Sequence, residues 1–361
     1  MSRTTWLSRC AVLLALLLFA AACGGDDAGS SDDGGGAGDA TEGTEEAAAA
    51  ADDGELTPVN LTLNWVPYGE HAPFYYGLAQ GFFEDEGIRL TIQPGSGSGA
   101  TAQATGSGQT DFGWVDTPAL LNAVASGVPA KSVGVYLQTT PASVEFFAES
   151  GISEPQDLVG LTIGGTAGDA LSQTFPAFLA ANDLSESDVT VQNVDPAGKI
   201  AALVEGRVDA IMGFFHDQAP TIANLSGKEV DVLRFSEWGV NFLGTGLVTS
   251  EDYLESHPDV VQGMVNATTR SFEAAMEDPD GAVQAMLDAV ANQAPPEEVI
   301  AEQLDKTTTL LHTEATEGEP LGVNAEEDWQ TTIDLFAEYG GLEDPGEPAD
   351  YWDGSFAAAA Q

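Results

Sequence analysis

Cysteine is almost absent from this 361-residue chain, which has two, Cys10 and Cys23. Two thiols so close to the N-terminus exclude a disulfide framework, a structural zinc site and cysteine catalysis in the long remainder. Cations are scarce as well: ten Lys and Arg stand against 58 Asp and Glu, for a formal net charge of −48. That balance excludes nucleic acid and anionic lipid surfaces as partners, because both are bound by neutralising phosphate. The acidity is spread along the chain and reads as solubility, including at high salt, rather than as one acidic site. Beyond the first 22 residues no apolar run is long enough to span a bilayer.

The N-terminus carries what the rest lacks. Arg3 and Arg9 precede the apolar run 11–19, which ends in Ala20, Ala21, Ala22 and Cys23. This is the order of a secretory signal. Small residues directly before Cys23 resemble a bacterial lipoprotein site, although Ala20 stands where leucine is usual, and imply a lipid anchor on Cys23. Residues 24 to about 55 are nearly all Gly, Asp, Ser, Ala, Glu and Thr, a composition too polar to offset the entropy of ordering. The expectation is therefore a signal peptide at 1–22 and a tether at 23–55.

From residue 59 short β-like runs alternate with helical stretches. Strands are predicted at 59–65, 89–93, 111–115 and 131–137, with helices at 74–83, 100–106 and 118–125. A second set has strands at 161–164, 190–194, 210–213 and 230–235 and helices at 171–182, 198–205 and 217–223. Both sets read as α/β units with largely parallel sheets. The chain then turns to amphipathic helices at 258–276, 279–292, 296–311 and 324–339, starting near prolines or polar caps. Their apolar faces need a platform, which the first sheet offers. The chain then crosses between lobes twice, near 144–150 and 240–248, which makes a hinge. The expected fold is a two-lobe, periplasmic-binding-protein-like α/β fold of type II with a hinged cleft. Lobe 1 takes 56–146 and 247–361, its helical C-terminal part included, and lobe 2 takes 147–246.

Ligand crevices in α/β sheets form at the C-terminal ends of strands. Trp65 follows one strand, Trp114 and Asp116 end another, and Phe214, Phe215, His216, Asp217 and Gln218 follow a third. Aromatics converging there suit a planar ring, with offset stacking adding about 0.5–1.5 kcal/mol. Asn64, His71, Asp116, Thr166, His216, Asp217 and Gln218 are candidate hydrogen-bond partners for ring nitrogens or amino groups. Tyr68 joins the set from the same opening segment as Asn64 and Trp65. For each aromatic, core packing is the competing reading. For His71 and His216 it is a satisfied or exposed histidine, and a metal shared by the two is not expected. Gly95-Ser-Gly-Ser-Gly99 has incomplete spacing for a dinucleotide loop and reads as a strand-to-helix connection. An anionic ligand is disfavoured, since Asp116 and Asp169 flank the candidate helix starts and few cations have a claim on the cleft.

The opening segment Asn64-Trp65-Val-Pro67-Tyr68-Gly-Glu-His71-Ala-Pro-Phe74 resembles the ABC-importer binding proteins for thiamine pyrimidine precursors. These share a fold with fungal pyrimidine synthase. Further matching segments are Gly108-Gln-Thr-Asp111-Phe-Gly113, Asp157-Leu-Val-Gly160 and Glu205-Gly206-Arg-Val-Asp209-Ala210-Ile-Met-Gly213. The resemblance implies a non-enzymatic, monomeric receptor without cofactor or metal, on the outer face of the cell membrane, partnered by a permease and an ATPase. Its ligand is expected to be a small heteroaromatic solute such as a thiamine pyrimidine precursor. Riboflavin, an aromatic acid, a sulfonate or nitrate remain alternative ligands. The synthase is the alternative class; its cysteine-rich motif has no counterpart here. Where the family often has a Tyr-Trp pair after Gly213, this chain has Phe214-Phe215.

Overall fold

The computed structural model describes residues 56–361 apart from 168, 291–293, 360 and 361. The expected signal peptide, the lipidated Cys23 and the tether lie outside the described residues.

Among the described residues, ten strands form two five-stranded sheets of the same design. In the first, β1 (Thr57–Thr62) runs parallel to β2 (Ile88–Gln93) and β3 (Phe112–Asp116). The second strand set opens with β5 (Ala142–Phe147), which follows β4 (Ala130–Val135) and belongs to the other sheet. There β6 (Thr162–Gly165) is parallel to β7 (Thr190–Asn193) and β8 (Ala210–Phe214), and β5 lies antiparallel between β8 and β9 (Val230–Arg234). Finally β10 (Thr245–Ser250) returns to the first sheet, antiparallel between β3 and β4.

Both sheets are thus mixed rather than largely parallel, each completed by one antiparallel strand that follows a crossing. The first crossing occupies 136–141, earlier than the 144–150 read from the sequence, because 142–147 is already a strand of the second sheet. The second crossing falls within 235–244.

Helices connect the parallel strands, and turn chemistry sets their ends. In the first lobe α1 (Ala72–Gln80) has proline in its first turn and stops at Gly81, which takes a left-handed φ of 78°. After α2 (Phe82–Asp85), α3 (Ser98–Gly106) and α4 (Thr117–Ala125) lead out of the β2 and β3 ends. In the second lobe α5 (Ala170–Ala181) is capped by Asp169, whose carboxylate accepts from Ser172 N–H at 2.8 Å. There α6 (Lys199–Val204) and α7 (Gln218–Ser226) follow β7 and β8. The C-terminal part begins with α8 (Glu251–Ser256) and the long α9 (Pro258–Glu277), which packs on α1 and α2. Next, α10 (Pro279–Val290) covers α1, and α11 (Glu297–Thr308) packs on the 69–71 turn and on α7 of the second lobe. Then α12 (Glu326–Glu338) touches both α4 and α5.

Candidate functional site

A cleft of about 770 Å³ opens where the strand ends of the two sheets face each other. Such a volume lies within the range of roughly 300–1,000 Å³ typical of small-molecule sites. The first lobe lines it with Asn64, Trp65, Tyr68, Ser98 and Asp116, and the second with Asp169, Lys199, Phe214, Asp217 and Gln218. Seven of the residues singled out from the sequence therefore meet here: Asn64, Trp65, Tyr68, Asp116, Phe214, Asp217 and Gln218. The Gly95–Gly99 loop braces the first wall. Its Gly97 N–H donates to the Asn64 carbonyl at 2.8 Å and Gly95 N–H to the Trp65 carbonyl at 3.0 Å. A Cβ on Gly95 would meet the Leu63 carbonyl oxygen at 1.8 Å, so only glycine allows this approach.

The walls carry mostly neutral amides and hydroxyls, and their charged groups are three carboxylates, Asp116, Asp169 and Asp217, against one ammonium. Asp116 is held up in pKa by burial, with hydroxyl donors from Ser98 and, at 3.1 Å, Thr245 acting against it. Asp217 is pushed up to about 6 by burial, partly offset by His216 and Lys199. Lys199 is buried, its ammonium donating to the Met212 carbonyl at 3.0 Å and standing 3.7 Å from Asp169. It is the one cation among the cleft-lining residues, and it is already engaged.

The other five sequence candidates do not line the cleft. Trp114 lies two residues back from Asp116 on the same face of β3, about 7 Å from the rim at ordinary strand rise, and is 0% exposed. It packs edge-on to Phe74 with ring centroids 5.0 Å apart. Thr166 turns away and donates its hydroxyl to the Val194 carbonyl at 2.9 Å. Phe215 joins the first lobe's apolar cluster with Phe74, Trp114 and Leu247, its ring under the Arg234 guanidinium at 4.2 Å. His71 and His216 are both fully buried. Strand ends bring these side chains near the cleft, but the depth of Trp114 along β3 and the turns at 69–71, after β6 and after β8 direct them into the protein.

The two histidines meet a residue that the sequence reading passed over. Glu70, in the 69–71 turn, accepts hydrogen bonds from the Tyr68 hydroxyl, the Trp114 indole N–H and His216 Nε2, the last at 2.6 Å. Burial alone would raise its pKa, but the bond and charge of His216 outweigh that and hold it at about 2. His71 accepts the Tyr68 backbone N–H on Nδ1 at 3.3 Å, so its proton is on Nε2, which donates to Asn64 Oδ1 at 2.8 Å. Burial holds His71 down at about 4, keeping it neutral and Asn64 oriented on the cleft wall. Gln303 of α11 accepts Gly69 N–H at 2.9 Å and donates to the Asp217 carbonyl and carboxylate, both at 3.0 Å. Glu70 was detectable as the lone charge in the apolar stretch 66–78. Gln303 had no sequence signal, since its partner lies 86 residues away.

Among the described residues, no group of three or more His, Cys, Asp or Glu side chains is placed to hold a metal ion. The arrangement offers stacking surfaces, oriented acceptors and an engaged cation, which is the equipment of a binding site for a ring bearing hydrogen-bond donors.

Comparison with known proteins agrees with this fold. The chain is 25% identical over 298 residues to a formylaminopyrimidine-binding protein of Halalkalibacterium halodurans, covering 81% of this chain and 89% of that protein. It is 29% identical to the riboflavin-binding protein RibY of Chloroflexus aurantiacus, covering 63% of this chain and 65% of that protein. A 4-amino-5-hydroxymethyl-2-methylpyrimidine phosphate synthase of Legionella pneumophila is 27% identical, covering 64% of this chain and 73% of that protein. Among solved structures, the alkanesulfonate-binding protein SsuA of Xanthomonas axonopodis pv. citri superposes with a TM-score of 0.64 at 18% identity. The match covers 83% of this chain and 99% of that one. The description NMT1/THI5 like fits residues 69–282, more than half of the chain and most of both lobes, and on that match the protein belongs to the NMT1/THI5-like family.

Proposed function

We propose that this chain is the extracytoplasmic substrate-binding receptor of an ABC importer. It closes on a small heteroaromatic solute of the thiamine-pyrimidine-precursor class and hands it to a permease driven by an ATPase. The observation that carries the reading is the lining of the cleft: Trp65, Tyr68 and Phe214 supply ring faces, while Asp116, Asp169 and Asp217 supply acceptors against one engaged cation, Lys199. An aminopyrimidine offers amino N–H donors and a flat face to such a site. A sulfonate or nitrate would meet carboxylates with no free guanidinium to neutralise it, so the shared fold with anion receptors does not extend to their ligands. The formylaminopyrimidine-binding relative supports the same class. Residues 1–22 and Cys23 belong to this reading as an export signal and a lipid anchor on the outer face of the membrane, with the lobes divided at the crossings 136–141 and 235–244 and the monomer as the working unit. No cofactor is required.

Riboflavin is the second reading, favoured by the size of the cleft, about 770 Å³, which exceeds what one six-membered ring needs. It is supported by the riboflavin-binding relative as well. The test is thermal denaturation with formylaminopyrimidine, hydroxymethylpyrimidine, riboflavin, taurine and nitrate, because ligands of the native state raise the melting temperature. A rise with a pyrimidine supports the first reading, a rise with riboflavin alone the second, and a rise with taurine or nitrate alone rejects both.

A further inference from the structure

The turn that follows β8 is built from three consecutive residues that each engage the first lobe. Phe215, 5% exposed, belongs to the apolar cluster that holds Phe74, Trp114 and Leu247 of the first lobe. His216 meets Glu70 at 2.6 Å, and neither side chain has any solvent exposure. Asp217 accepts from Gln303 of α11 through both its carbonyl and its carboxylate. Nearer the mouth, Asn122 of α4 donates to Gln173 of α5 at 3.3 Å.

None of Glu70, Phe215 or His216 lines the cleft, so their contacts need no ligand. Out of water the Glu70–His216 hydrogen bond is strong, and opening the lobes breaks it. The buried, unpartnered Nδ1 of His216 is a cost to this arrangement, and Glu70 keeps two first-lobe donors, Tyr68 and Trp114, when His216 leaves. Burial of Phe215 opposes that cost, since opening returns its ring to water.

We propose that residues 215–217 form a clasp that holds the two lobes closed through protein contacts alone, so that the closed conformation dominates before ligand arrives. A ligand can then shift the equilibrium only by the remaining difference in its affinity for the two conformations. The clasp concerns how the cleft proposed above closes and rests on that reading. It is tested without ligand, so its failure leaves the choice of solute untouched.

The experiment is a double electron–electron resonance measurement of the interlobe distance in the ligand-free chain. Spin labels are placed at exposed Ser107 and Ser187, with Cys10 and Cys23 changed to serine. The unmodified clasp is expected to give one short-distance population. Glu70→Gln, isosteric but uncharged, is expected to move at least half of the population to a longer distance, and Gln303→Leu to do the same from the other side of the turn. Circular dichroism establishes that each variant is folded, and Gln303→Leu decides alone where Glu70→Gln is not. A long distance with the clasp intact, or distributions in the folded variants that match the starting one, overturns the proposal and makes the turn fixed packing beside the hinge.

Discussion

Trp65 and Trp114 look equivalent in the sequence and differ in place, Trp65 lying beyond the end of β1 and Trp114 within β3. Trp65, 36% exposed, stands on the lip of the cleft, whereas Trp114 is buried against Phe74 and Phe272. Trp65→Ala should weaken ligand binding about tenfold, the equivalent of roughly 1.4 kcal/mol, with an unchanged melting temperature. Trp114→Ala should instead lower stability by about 3–5 kcal/mol in urea unfolding, because it leaves a cavity and removes a donor from Glu70. Glu145 gives a pH signature. It is buried in the second lobe with one carboxyl oxygen unpartnered, and burial, with Asp217 adding to it, pushes its pKa up to about 8. An acid whose pKa is raised on folding binds its proton more tightly in the native state. Its effect is absent below the ordinary value of 4.5, grows unfavourable as pH rises from there and is complete above about 8. Glu145→Gln should therefore raise stability at pH 8 relative to pH 5 by about 2 kcal/mol over the parent, read by denaturation at both values. Residue identities at strand ends were legible. Which of them face the cleft was not, because Trp114 shares a face of β3 with Asp116 and is buried only by lying two residues deeper, and because the paths of the turns that hold His71, Phe215 and His216 are set by contacts with distant segments.

At the scale of elements, the parallel strands and their helices followed from alternating apolar patterns, and the long C-terminal helices from their caps. The antiparallel pair β5 and β10 did not. Each follows a crossing, and Thr245–Ser250 is a short run of Thr, Gly and Ser with few apolar residues to betray its complete burial. Their strand character comes from lying between two neighbours in a sheet, a long-range pairing that local propensity does not register. The 69–71 turn depends on a similar long-range fit. A Cβ at Gly69 would approach Gln303 Cβ at 2.4 Å and the Ile300 carbonyl oxygen at 2.5 Å, the second being backbone of α11. Gly69→Ala should push α11 away, lowering stability by about 1–3 kcal/mol and loosening the bonds of Gln303 to Asp217. Amide hydrogen exchange over 297–308 should speed up relative to α9; equal exchange in both would show that α11 tolerates the shift.

For the molecule as a whole, the two-lobe α/β plan was readable because the order of elements repeats on either side of the first crossing. The solute class was only half readable. Composition removed anionic partners, but the pairing of Lys199 with Asp169 and of Glu70 with His216 depends on contacts between distant segments. Both matter to the central claim, which is that an acidic, ring-lined cleft selects a donor-bearing heteroaromatic over an anion. Isothermal titration calorimetry at pH 7 with formylaminopyrimidine and with taurine tests that claim most directly. A saturable one-to-one heat is expected with formylaminopyrimidine, weakened about tenfold in Trp65→Ala, and none with taurine. A saturable heat with taurine and none with the pyrimidine would contradict it.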